Sequence, residues 1–310
     1  MSEISKVAVI GASGNLGKPV TAALHEAGFE VTIITRTEST TEHPKDIPVI
    51  RTEYTLSALT QAFAGQDAVV CVVGIPGVPL QSLFVDAAEA AGVQRFVLDD
   101  FAWGDTEANI RDLDEFQTPR RVGWDHAKAR AIANPAFAWT GISTGNPIDR
   151  AIKVFPLMGF DVAKRTAIIY DDGTEKFTGT TLAGIAQAVI GVLRNPEQTA
   201  NRFVKVFSIL ASQNELLAAF EQAEGAKWSV QHNTTQTLLQ TGRAKREAGT
   251  TGWILDLVVA QLYDDKSGRS KVARSREETD SELLGVASET PLDVVRKVLA
   301  AQQDSVTPVF

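Results

Sequence analysis

KVAVIGASGNLGKPVTAAL, residues 6–24, is the stretch whose reading decides the fold. Val7, Ala8, Val9 and Ile10 form a short apolar run, as a parallel strand covered on both faces requires. Three glycines, Gly11, Gly14 and Gly17, follow at once. Beyond them Leu16, Val20, Ala23, Leu24 and Ala27 recur at helical spacing, and Gly28 stands where a left-handed cap would close the helix. The predicted unit is strand, glycine turn, helix. Such a turn lets backbone N–H groups approach a pyrophosphate while the positive end of the helix dipole faces its charge. Gly11, Ser13, Gly14, Asn15, Leu16 and Gly17 are therefore candidate contacts of a dinucleotide. The spelling GASGNLG puts two residues between the first and second glycines, where the commonest fingerprint has one. A tight turn without a ligand is the plainer alternative.

FEVTIITR, residues 29–36, reads as a second buried strand and ends in Arg36, roughly 20 residues after the last glycine. An acidic side chain near this point would hold the ribose hydroxyls of NAD, whereas an arginine accommodates the 2′-phosphate of NADP. Arg36 points to NADP. The alternative is that Arg36 is a solvated strand-end charge and Glu38 holds the ribose of NAD.

The remaining composition excludes more than it assigns. A chain of 310 residues, 44% hydrophobic, is long enough for one large or two modest cores. Its net charge of −8, with no basic stripe among aromatics, argues against a nucleic-acid surface. The densest basic run, RAKRE at residues 243–247, reads as a solvated helix face. The single cysteine, Cys71, lies in AVVCVVG and reads as a small core residue, and the four histidines show no metal-ligand spacing. The N-terminal residues lack the form of a signal peptide and no apolar run is long enough to span a membrane, so a cytoplasmic protein is expected.

Strand and helix signals go on alternating, which predicts a doubly wound parallel sheet of Rossmann type. TLSALTQAFAG (55–65) is a helix, DAVVCVVG (67–74) a strand, PLQSLFVDAAEAAG (79–92) a helix and VQRFVLDDF (93–101) a strand. Ligands of such sheets lie outside the carboxyl ends of the strands, which makes Gly74, Ile75, Asp99, Asp100 and Phe101 candidates. AWGDTEANIRDLDEFQTPRRVG (102–123) is long, polar and poorly periodic, either a lid-like insertion or a surface excursion. WDHAKARAIANP (124–135) follows as a helix with Trp124 and Lys128 on one face, then AFAWTGIS (136–143) as a strand. A turn through Gly145, Asn146 and Pro147 stands at that strand's carboxyl end. Residues 180–196 and 290–303 read as capped scaffold helices, and TTGWILDLVVAQLYDD (250–265) as packing or as the lining of a substrate cleft.

The ordered set VIGASGNLGKPV, TRTEST, FAGQDAVVCVVG, QSLFVDAAEAAGVQRFV and WTGISTGNPID, continued through residues 177–230, resembles the NmrA-like and isoflavone-reductase-like branch of the atypical short-chain dehydrogenases. The resemblance implies an NADP-binding Rossmann domain at residues 1–150, a smaller α+β substrate domain at 151–310 with parts returning to the sheet, and a cleft between them. The family's reductases place a lysine beside the nicotinamide ribose. Order and distance match it to Lys128, whereas an ungapped alignment on RAI would put Asp125 there. Gln81 matches the family's glutamine, and Asp99, Asp100 and Phe101 stand in the place of its Ser-Glu-Phe-Gly run, with the serine and glycine missing. None of Tyr54, Tyr170 and Tyr263 has a lysine four residues on, so the Tyr-x-x-x-Lys pair of the mainstream enzymes is absent. Acid-base work then falls to Lys128, with Asp100 as the second candidate; the alternative for Lys128 is an exposed residue paired with Asp125. The implied function is NADPH-dependent hydride transfer to or from a small, largely apolar organic molecule of secondary metabolism, with Phe101, Trp103, Trp124 and Phe155 near the cleft. A regulator that senses the NADP pool through a protein partner, and a redox-neutral isomerase or cyclase, remain alternatives. A homodimer is left open.

Overall fold

The computed structural model describes residues 3–104, 111–154, 157–264 and 270–303. The first half runs β1 (Lys6–Ile10), α1 (Gly17–Glu26), β2 (Glu30–Arg36), β3 (Val49–Thr52), α2 (Leu56–Ala62), β4 (Ala68–Cys71), α3 (Gln81–Ala90), β5 (Arg95–Val97), α4 (Asp114–Ala133) and β6 (Ala138–Ser143). There follow β7 (Asn146–Pro147), α5 (Ile148–Lys153), β8 (Phe160–Asp161), β9 (Thr166–Tyr170), β10 (Phe177–Thr180), α6 (Leu182–Arg194), β11 (Arg202–Lys205), β12 (Ile209–Ala211) and α7 (Gln213–Glu224). The chain ends with β13 (Ser229–Asn233), α8 (Thr235–Glu247), α9 (Trp253–Tyr263) and α10 (Pro291–Gln303).

Seven of these strands form one sheet in the order β3-β2-β1-β4-β5-β6-β11, every neighbour parallel. Val7 to Ile10 and Ala68 to Cys71 are fully buried because helices cover both faces. On one face α1 and α6 pack together over Val9, Val70, Val97 and Ile142. On the other, α2, α3 and α4 cover Ile10, Cys71, Phe96 and Trp139. The order turns back between β1 and β4, which sets the crevice at the carboxyl ends of those two strands.

A second core gathers α5, β9, β10, α7, α9 and α10 around Phe160, Phe177, Phe220 and Tyr263, with two three-stranded sheets, β12-β10-β7 and β13-β9-β8. The two cores do not divide at residue 150. α6 belongs to the first core, β11 completes its sheet, and Leu284 and Val286 return to it from the last part of the chain.

The stretch 102–123 is in part neither lid nor loop. α4 starts at Asp114 and carries Pro119 inside it. Asp114 and Glu115 in the first turn complement the helix dipole. The preceding turn is tied down from outside, since Arg243 grips Asp112 (Nη2–Oδ2 2.7 Å) and Arg246 grips Glu115 (2.8 Å). Two cations of the RAKRE run are thus docked on α4 rather than left in solvent, and Lys245 pairs with Asp256 at 2.7 Å. α9 uses Leu257, Val259, Leu262 and Tyr263 as packing for the second core. Among the described residues no helix is long and apolar enough to cross a membrane, and no cluster of His, Cys, Asp and Glu could hold a metal ion.

Candidate active site

The glycine turn is built by close approach. A Cβ on Gly17 would lie 2.0 Å from the carbonyl oxygen of Gly11, and one on Gly11 2.3 Å from that of Val72. Gly11 also has φ +87°, a region closed to most side chains. Gly14 differs: its amide donates to Gly11 O at 3.0 Å, and a Cβ there would meet that oxygen at 3.2 Å without a positive φ. Gly11 and Gly17 therefore hold strand, loop and helix against one another, while Gly14 is free of that duty. Asn15 on this turn is exposed, and Leu16 packs against the first core.

From this turn a groove enclosing about 270 Å³ runs over the ends of β1, β2 and β4. Gly11 and Ser13 form its floor, Ile33 to Arg36 one wall, and Gly74, Pro76 and Leu80 the other. Its far end is rimmed by Arg36, Ser39, Thr41 and His43. Arg51 holds that rim by donating to the carbonyls of Ser39 and, at 3.3 Å, Thr41. Burial, and then Arg51 and Lys18, keep His43 below its ordinary pKa. Arg36 lines the groove, is more than half exposed and pairs with Glu38 at 3.4 Å. Tyr54, packed edge-on against Phe84 at 5.1 Å, lines the groove too, and burial pushes its phenol up to about 12. A glycine floor with a basic, hydroxyl-bearing rim fits a dinucleotide carrying an extra phosphate. Sequence reasoning missed Tyr54, Thr41 and His43, because nothing in their spacing marks a loop that folds back over β2.

Beyond Gly74 the polar groups thicken. Gln81, the first residue of α3, is fully buried and its Oε1 accepts the Asp99 amide at 2.6 Å, so α3 and the end of β5 are pinned together. Asp99 and Asp100 are both buried there, and the Asp100 amide donates to Leu98 O at 3.1 Å. Phe101, next in line, is held at φ +48°, a strained conformation for a bulky residue and a common mark of a functional turn. Burial drives the Asp99 carboxyl up to about 8; Arg120 on α4 pulls it down and Asp100 pushes it further up. Gln81 Nε2, Asp99 Oδ2, Trp124 Nε1 and Ser143 Oγ are buried without a hydrogen-bond partner. Those of Gln81 and Asp99, together at the end of β5, are costly unless a ligand or ordered water answers them. Arg120 was not anticipated, since it falls in the stretch read as an excursion.

Other expected residues lie elsewhere. Lys128 does not line the groove. Its Nζ pairs with Asp125 at 3.2 Å and sits 5.9 Å from the ring centres of Trp139 and Phe203, in a separate surface hollow with Ile132, Asn201 and Arg202. The reason is position along the helix: Gly123 touches Gln81, and five further residues carry Lys128 about 7.5 Å down the axis, away from the carboxyl ends. Lys128 thus stands apart from the groove lined by Gly11, Arg36 and Gly74. Trp124 is core rather than cleft wall, packed edge-on against Phe203 at 5.1 Å. Ile75 is exposed and outside the groove wall. Gly145, Asn146 and Pro147 form the crossing into the second core: Gly145 donates to Ala102 O at 2.8 Å, Asn146 Nδ2 to Met158 Sδ at 3.0 Å, and Pro147 pairs with Thr180. Phe155 lies outside the described residues.

The fold is of Rossmann type, and its crevice has the shape and lining that a dinucleotide requires. The profile of the NmrA-like family matches residues 3–248, and the chain belongs to that family. It is 57% identical to "Oxidoreductase poxI" of Penicillium oxalicum over 93% of this chain and 92% of that one. It is 33% identical to "Oxidoreductase aprR" of Aspergillus flavus over 73% and 76%. Among solved structures, the leucoanthocyanidin reductase–NADPH complex from Vitis vinifera superposes with TM-score 0.74 at 18% identity, covering 95% of this chain and 99% of that one. With relatives of this similarity named oxidoreductases, the chain is an enzyme of that class.

Proposed function

We propose that this enzyme is an NADPH-dependent reductase that delivers a hydride to a small, largely apolar organic molecule. One observation carries the reading: a groove with a glycine floor and an arginine rim runs to Leu80, next to the buried polar atoms of Gln81 and Asp99 at the end of β5. Gly11, Ser13 and Gly14 receive the pyrophosphate, and Arg36 with Ser39 and Thr41 takes the 2′-phosphate. When bound, the cofactor would supply the hydride from its reduced nicotinamide. Gln81 holds the end of β5 in place through the Asp99 amide, while Asp99, Asp100 and Arg120 provide acid and charge at the reacting end. Trp103, half-buried shortly after the two aspartates, offers aromatic surface to the substrate, while Phe101 packs into the first core. The enzyme works in the cytoplasm, where Cys71 stays reduced.

The test is fluorescence titration with NADPH and NADH, then NADPH oxidation against a panel of aromatic enones, imines and ketones. NADPH should bind more tightly than NADH and be consumed with at least one compound class. Equal affinity for the two nucleotides removes the assignment of Arg36. Tight binding of NADP⁺ and NADPH with no turnover, and a partner protein retained with one form only, would instead mark a sensor.

A further inference from the structure

The geometry points to Asp99 as a proton store tied to the redox state of the cofactor: it carries its proton when the nicotinamide is reduced and gives it up when the ring becomes cationic. This rests on the dinucleotide reading above and adds to it a residue, a role and a measurable proton.

Asp99 stands at the carboxyl end of β5, next to the crevice where the sheet order reverses, and its amide is fixed by Gln81. A dinucleotide whose pyrophosphate lies on the β1 turn and whose adenosine follows β2 sends its other half across the ends of β4 and β5. Asp99 is 4% exposed, and its Oδ2 has no hydrogen-bond partner. A carboxylate in that position would be buried charge without a dedicated bond, so the neutral acid is the form the free site favours. The charged and titratable groups that bear on it are Arg120 from α4, Asp100 on its own strand and, at the end of β4, the fully buried Cys71 thiol, which Asp99 itself helps to push up. Arg120 is thus the cation that bears on Asp99, and it does not offset that carboxyl's burial.

The oxidised nicotinamide brings the second positive charge. A cation within ~4–6 Å lowers a carboxyl by about 1 to 3 pKa units, which moves Asp99 from mostly protonated to half or fully ionised near pH 7. In turnover the nicotinamide C4–H bond breaks and its electron pair forms a C–H bond on the substrate. The Asp99 O–H breaks to protonate the substrate's adjacent heteroatom, leaving carboxylate opposite the new ring cation. Asp99 recovers a proton from water once the oxidised cofactor leaves, so the cycle consumes one substrate, one NADPH and one proton. Acidity rises at the step that needs the proton.

The experiment needs no substrate. Calorimetric titration of the full chain with NADP⁺ and with NADPH at pH 7, each in buffers of different ionisation enthalpy, gives the protons exchanged on binding. The 2′-phosphate is common to both nucleotides and cancels in the difference. NADP⁺ is expected to release about 0.4 to 0.9 proton more than NADPH. Across pH 6.5 to 9, NADP⁺ affinity should rise at least fivefold toward high pH, while that of NADPH changes less than twofold. Asp99→Asn should abolish the difference, whereas Asp100→Asn, which removes a like charge that raises Asp99, should shrink the difference without abolishing it. If neither nucleotide binds, the reading as an NADP enzyme fails. If both bind with the same proton count and flat pH dependence, that reading stands and the role of Asp99 is refuted; the measurements on the unaltered chain decide this even if Asp99→Asn does not fold.

Discussion

Alanine at each of the three glycines separates folding from binding, because the structure gives them different neighbours. On Gly17 the new Cβ would lie 2.0 Å from Gly11 O and 2.9 Å from Ala12 Cα, both backbone atoms that cannot step aside without moving α1 off β1. On Gly11 it would lie 2.3 Å from Val72 O in a residue whose φ of +87° an L side chain resists. Overpacking of this kind costs about 1 to 3 kcal/mol and the left-handed backbone about 1 to 2 more, a large share of a typical total stability of roughly 5 to 15. Gly11→Ala and Gly17→Ala should therefore melt about 5 to 15 °C early. Gly14→Ala meets Gly11 O at 3.2 Å, a contact relieved by a few tenths of an ångström. Its melting point should fall within about 3 °C of the unaltered protein, corresponding to less than ~1 kcal/mol. The methyl group nonetheless stands between the turn and the pyrophosphate, so NADPH affinity should drop at least tenfold. Differential scanning fluorimetry and NADPH fluorescence titration read the two effects on the same samples. If Gly14→Ala binds NADPH normally, or if Gly17→Ala is as stable as the original, the division of labour in the turn is wrong.

Arg36→Ala should erase most of the preference for NADPH over NADH, about 1.5 to 3 kcal/mol for a charge-assisted contact, as read by paired titrations. Lys128→Met should leave NADPH oxidation within twofold of normal and stability within about 1 kcal/mol, since it removes an exposed ion pair with Asp125 and long contacts with the Trp139 and Phe203 rings; a hundredfold loss in steady-state rate would place the lysine in the active site. Asp99→Asn should stabilise the protein. The carboxyl, raised from 3.8 to about 8 by burial, binds more protons folded than unfolded between those values, so its cost is absent below pH 4, grows as pH rises and is complete above pH 8. On that basis the variant gains on the order of 5 kcal/mol at pH 8 and nothing at pH 3.5, and urea melts whose difference shrinks with rising pH would contradict it.

The residues that announced themselves did so through local physics. Val7 to Ile10 could only be a buried strand, the glycines only a close turn, and β1, α1 and β2 lie where those patterns put them. β3 was not foreseen because Val49–Thr52 is a half-exposed edge strand without an apolar face of its own. The first turns of α4 were hidden by Pro119 and a polar composition, and become helical through ion pairs to α8, 131 residues away in sequence. The placing of Lys128 shows a different limit. Its spacing from Trp124 fixes the face of the helix, yet the distance from the cleft depends on where along its axis α4 crosses Gln81. Asp99 was legible as a position at a strand end, whereas its proton follows from burial, which only packing decides.

The return of α6 and β11 to the first sheet bears on how enzymes of this architecture diversify. A chain that leaves its nucleotide half after β6, comes back for one helix and one strand, and returns again through Leu284 and Val286 has no single seam at which a substrate-recognising half could be exchanged. Cutting at residue 150 would strip β6 of its outer neighbour and uncover Val9, Val70 and Ile142, leaving a fragment prone to stick to its own copies through a bare strand edge. New specificities in such a scaffold must come from point changes and loop insertions between fixed elements. The recombination of whole domains is closed to it by the path of its own backbone.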